Sequence, residues 1–176
     1  MNWNLIFLRR KIVRTKFLLS ILFFIPVLIF QITLVQFITW NAITPNFILI
    51  LLVFYSILYG QLYGTVLGFV YGLLFDLITG GLLGSAMLSS TLAGFIAGYF
   101  SNENKRHINL KPFNFGLIVL LCSITASIIF SIFSTIDFNK NIISSLFEEG
   151  LLPGLYTSIV ALIIIYFYPR RKLLES

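Results

Sequence analysis

At 176 residues the chain has the length of one domain, but 59% of it is hydrophobic and 10% charged, against about 25% charged in ordinary soluble domains. With a mean hydropathy of +1.00, a water-soluble globule is excluded, and a single integral membrane domain over residues 1–176 is expected. The lone Cys122 excludes a disulfide framework and a cysteine-based metal site, and a net charge of +6 carried beside apolar runs points to membrane topology rather than to nucleic acid.

The chain opens on the basic run "RRKIVRTK", residues 9–16, followed by an apolar segment at 17–40. That segment continues too long for a signal-peptide core and lacks a small-residue cleavage site, so it is expected to stay as a signal anchor, with Pro26 as a site for a kink. Asn41, Thr44, Pro45 and Asn46 then read as a turn, with Pro45 placed where a missing amide donor does no harm at the start of a helix. Three apolar segments follow at 46–60, 63–79 and 83–100, joined by "GQLYG" and "TGGLLG" with almost no spare chain. Antiparallel helical hairpins are expected, because lipid offers no replacement partners for backbone polar groups.

The connection "SNENKRHINLK" carries the only histidine, His107, among cations, and a solvated cytoplasmic side chain is its simplest reading. A fifth segment at 115–136, a connection at 137–150 with Asp137, Glu148 and Glu149, and a closing segment at 151–168 complete the chain, and Pro169 before "RRK" stops the last helix. The expected architecture is therefore all-α and polytopic, with six transmembrane helices. If the N-terminus is inside, Arg9, Arg10, Lys11, Arg14, Lys16, Lys105, Arg106, Lys111, Arg170, Arg171 and Lys172 fall inside and only Lys140 outside. Eleven against one predicts that both termini are cytoplasmic.

Along and beyond the third segment, Gly60, Gly64, Gly68, Gly72, Asp76, Gly80 and Gly84 form an every-fourth-residue row. Such a row lets another backbone come close, and Gly94 and Gly98 with Ala93 and Ala97 offer a second stripe on the fourth segment. The two stripes can pair with each other, or one can be left for a partner. Asp76 lies about 18 Å along the helix from Gly64, in the outer half of the membrane. No Lys or Arg falls inside any of the six segments to neutralise it. Its candidate partners are Thr79, the backbone N–H groups of "GGLLGS" and Ser85, an arrangement in which Asp76 caps the fourth helix and fixes the hairpin. A partner-facing contact and proton or ligand chemistry are the alternatives for an intramembrane acid. Tyr55, Tyr59, Tyr63, Tyr71 and Tyr99 are candidates for interface anchors. No nucleophile with a base, metal cluster or phosphate loop can be assembled, so neither catalysis nor a cofactor is expected.

The stretch "YGTVLGFVYGLLFDLITGGLLGSAM", residues 63 to 87, resembles the MreD family of the bacterial rod-shape system. The turn "TPNF" with Pro45, and a closing helix begun by "LLPGLYTSIV" with Pro153 and ended by "YPRRKLL", fit the same pattern. Where family members often carry a charged residue after the first-turn proline, this chain has Asn46. The resemblance implies a non-enzymatic multi-pass protein of the bacterial cytoplasmic membrane. It implies an MreC-like bitopic partner, and association with MreB filaments and the wall-synthesising polymerase and transpeptidase. It also implies a fold akin to the substrate-binding subunits of energy-coupling-factor transporters. A partner and packing surface is then expected along Gly64, Gly68, Gly72, Asp76, Gly80 and Gly84, with Pro45 and Pro153 shaping the ends, while the basic flanks meet anionic lipid.

A solute-binding transporter subunit is the competing expectation, with a small molecule held at the outer mouth near Asp76, Asn41 and the fifth connection. The first segment lacks the small-residue stripe such a subunit uses for coupling, since "FLLSILFFIPVLIFQITL" is bulky nearly throughout.

Overall fold

The computed structural model describes residues 3–33, 44–80, 82–102, 106–137 and 151–167. Asn41, Lys105, residues 138–150 and residues 168–176 lie outside the described residues, as do the side chains of residues 9–16, Asp137 and His107. Among the described residues the regular structure is entirely helical: α1 (Trp3–Thr33), α2 (Phe47–Tyr59), α3 (Gln61–Thr79), α4 (Ser85–Tyr99), α5 (Arg106–Asn109), α6 (Pro112–Asp137) and α7 (Leu152–Phe167).

Local chemistry sets the boundaries. Asn46 is the N-cap of α2, its side-chain oxygen accepting from the Leu49 amide at 2.9 Å, so Pro45 sits one residue ahead of the cap. Gly60 alone separates α2 from α3, and its N–H closes on the Ser56 carbonyl at 2.9 Å. The linker predicted as "GQLYG" thus shrinks to one residue, because Gln61 already opens the next helix. α1 starts well before residue 17 and takes in the basic run as helix. The short α5 lies in the connection read from sequence as irregular.

α3 and α4 form the most extensive pair, α4 also packs on α6 and α2, and α6 packs on α7. α1 rests chiefly on α2 and α3. The core is apolar, with Phe24, Leu52, Ile57, Leu67 and Val119 fully or almost fully buried, but it also takes in Ser56, Asp76, Ser85, Ser89, Ser123 and Thr157, while leucines, isoleucines and phenylalanines of α1, α3, α4, α6 and α7 are exposed. Large apolar side chains facing outward on five helices need an apolar solvent. Two helices, Gln61–Thr79 and Pro112–Phe130, are long and apolar enough to cross a membrane, and Phe17–Thr33, Phe47–Tyr59 and Leu152–Phe167 are shorter apolar helices. At 13 residues, α2 is the shortest of these; it reaches about 20 Å. Most of it is buried, as expected of a helix apolar all round that lies inside a bundle.

α1 is fastened by aromatic side chains. The Phe24 ring stacks on Tyr71 at 4.1 Å between centroids and within 16° of parallel. The Tyr71 hydroxyl donates to the Ser20 carbonyl at 2.8 Å, and the Ser20 and Tyr63 hydroxyls share a hydrogen bond of 2.7 Å. Tyr55 and Tyr71 are buried, and the half-buried Tyr59 and Tyr63 pack in a ring cluster with Tyr55. Tyr99 differs, being largely exposed near the end of α4.

Candidate functional site

The every-fourth-residue row divides into two kinds of glycine. A Cβ at Gly68 would fall on the Ser90 carbonyl, one at Gly72 on the Ala86 carbonyl and the Met87 Cα, and one at Gly64 on the Gly94 carbonyl and the Ser56 side chain. These three positions admit the backbone of α4, which any side chain would push away. The fourth-helix stripe answers them: a Cβ at Gly94 would strike the Gly64 carbonyl and one at Gly98 the backbone of Gln61, while Ala93 and Ala97 are fully buried. The two stripes thus lie against each other within the chain.

Gly80 and Gly84 sit differently, with nothing near a would-be Cβ. They are turn residues in the left-handed region, at φ +67° and +105°, where a side chain would be strained. They belong to the reversal between α3 and α4 and not to the close approach that the regular spacing suggested.

Asp76 joins these two features. Its Oδ2 accepts from the amides of Gly84 at 2.9 Å and Met87 at 3.1 Å, and its Oδ1 from the amide of Ala86 at 3.2 Å. Its backbone carbonyl accepts from the Gly80 amide at 3.0 Å, closing α3. One residue therefore ends one helix with its main chain and starts the next with its side chain. Asp76 is 2% exposed, and its side-chain oxygens at the N-terminus of α4 set acceptors against the positive end of that helix and fill donors with no intrahelical partner. Of the expected partners the side chain engages the Gly84 amide of "GGLLGS", and its other two donors, Ala86 and Met87, lie just beyond that stretch. The Thr79 hydroxyl donates instead to the Phe75 carbonyl at 2.8 Å and the Ser85 hydroxyl to the Leu82 carbonyl at 2.9 Å, because a hydroxyl on a helix finds an acceptor one turn back before it finds a distant one.

A second polar junction lies at the same end of the bundle. Gln31 of α1 donates from Nε2 to the Pro45 carbonyl at 2.9 Å and accepts at Oε1 from the Phe47 amide at 2.9 Å. The Asn46 amide donates to Thr157 Oγ1 at 3.0 Å, and that hydroxyl donates to the Pro153 carbonyl at 2.6 Å. Pro45 and Pro153 are thereby tied through the 44–46 turn to both α1 and α7. Sequence reasoning passed over Gln31 and Thr157; the signal was an amide and a hydroxyl within largely apolar runs. Among the described residues no group of three or more His, Cys, Asp or Glu side chains is placed to hold a metal ion.

The sequence model of the family described as rod shape-determining protein MreD matches residues 11–175. No curated protein and no solved structure matches the chain. The match covers nearly the whole chain, including the α3–α4 hairpin and both polar junctions. The chain belongs to the MreD family, and its role is in determining rod shape.

Proposed function

We propose that the chain is a non-enzymatic membrane scaffold of the cell-elongation machinery. It forms one domain over residues 1–176 with six membrane-spanning helices and both ends in the cytoplasm. It binds the membrane helix of an MreC-like bitopic partner and helps link wall synthesis to the MreB cytoskeleton. The family match over residues 11–175 carries this reading, and the outward-facing apolar surface of five helices supports a lipid setting. The distribution of Lys and Arg supports the orientation, and suits basic flanks that meet anionic headgroups of the cytoplasmic leaflet. α2 is short for a span but surrounded by protein, where a short helix leaves no backbone group facing lipid.

In this scaffold Gly64, Gly68, Gly72 and Asp76 act by setting the α3–α4 hairpin, since their faces are occupied by α4. Gly80 and Gly84 form its turn, and Pro45 and Pro153 hold the neighbouring junction. Crosslinking in membranes followed by purification tests the proposal: a bitopic partner with an external domain is recovered, and depletion of the chain makes rod cells round. Recovery of ATPase subunits in place of that partner, with rod shape kept on depletion, would instead indicate a transporter subunit.

A further inference from the structure

A cavity of about 340 Å³ opens between the ends of α1 and α7, the 44–46 turn, and the facing stretches of α4 and α6. Gln31, Asn46, Ser89, Ser123, Ser127 and Thr157 contribute polar groups to its wall, and Phe75 and Phe130 contribute aromatic ones. No Asp, Glu, Lys, Arg or His is among the described residues that line it. Asp76 lies behind the wall, its two oxygens turned to the amides of Gly84, Ala86 and Met87.

The hydroxyls of α6 separate into two groups. Thr125 follows the usual habit of an apolar helix and donates to the Leu121 carbonyl at 2.9 Å. Ser123 and Ser127, one turn apart on the cavity side, form no hydrogen bond to a described residue. Ser123 is 5% exposed and lines the cavity, so its hydroxyl faces the cavity rather than another described side chain.

We infer that this cavity is a binding site for a small uncharged molecule bearing hydroxyl or amide groups, of the size of a sugar or polyol. The described lining offers a charged ligand no countercharge. Serine hydroxyls and the Asn46 amide offer both donors and acceptors, which suits a molecule carrying both, and the phenyl rings suit its apolar faces. The volume lies near the lower end of the range for ligand pockets, about 300–1,000 Å³. This goes beyond the scaffold proposal and is read on the isolated chain, so partner recovery and cell shape do not enter the outcome.

The test uses the full chain in lipid nanodiscs. Native mass spectrometry of protein taken directly from membranes reports any retained molecule. Thermal unfolding is then titrated with glucose and myo-inositol, and with glucosamine and gluconate as charged counterparts. A retained uncharged molecule, or a saturable rise in the unfolding temperature with either neutral probe, is expected. Ser123→Ala with Ser127→Ala weakens that binding about tenfold, and the cavity-filling Ser127→Leu removes it while the helical circular dichroism is kept. The proposal is overturned if the chain retains only phospholipid, a peptide or nothing and neither neutral probe shifts unfolding. Preference for a charged probe, or full binding by Ser127→Leu, overturns it equally.

Discussion

The α3–α4 seam and the seat of α1 solve one problem in opposite ways. Along the seam, side chains are missing: glycines bring two backbones together and a carboxylate closes the turn. At α1, side chains are large: Phe24, Tyr63 and Tyr71 reach across to hold a helix whose outer face carries Leu18, Leu22 and Ile29 exposed. The seam tolerates little because backbone cannot rotate aside. The aromatic seat is held by ring contacts and hydroxyl bonds that can be weakened singly.

The largest effect is expected from Gly72→Leu, which drives a branched side chain into the Ala86 and Met87 backbone. Overpacking costs about 1–3 kcal/mol even where neighbours can shift, so this variant should fail to accumulate as folded protein in membrane fractions. Normal accumulation and thermal stability would show that the two backbones are not locked together. Asp76→Leu comes next, leaving the amides of Gly84, Ala86 and Met87 without their acceptor, at about 2–4 kcal/mol. Asp76→Asn should lose less, about 1–2 kcal/mol, because one oxygen still serves Gly84 and Met87 while its NH2 faces the Ala86 amide. Unfolding of both Asp76 variants in nanodiscs at the temperature of the unchanged protein would mean that the cap contributes nothing. The smallest change is expected on the other side of the comparison: Tyr71→Phe removes one hydroxyl bond to Ser20, which inside a membrane averages about 0.6 kcal/mol. A Tyr71→Phe loss rivalling that of Asp76→Leu would make α1 a keystone and reverse the ranking.

The helical segments were legible in the sequence because apolar runs broken by Gly, Pro and Asn leave few other solutions for a chain this poor in charge. The role of Asp76 as a cap was also within reach, since an isolated acid before a glycine turn finds its nearest donors on the next helix. Its companions were not. A period of four cannot distinguish a glycine that admits a neighbouring backbone from one that supplies a left-handed turn, so Gly72 and Gly80 look alike until φ and distances are known. Gln31 and Ser123 escaped for a related reason: a single amide or hydroxyl in an apolar helix most often bonds to its own backbone, and only the tertiary arrangement shows where it does not.

The Asp76 cap bears on how the chain enters the bilayer. While α3 is the most recently made helix, its carboxylate has no acceptor-satisfying amides, because all three belong to residues not yet synthesised. A bare acid in a span opposes insertion through the translocon, by up to about 2.5–3.5 kcal/mol at its centre. In the proposed membrane-spanning arrangement, α3 would gain from entering lipid together with α4, as one unit whose loop is already tied by the Asp76 side chain.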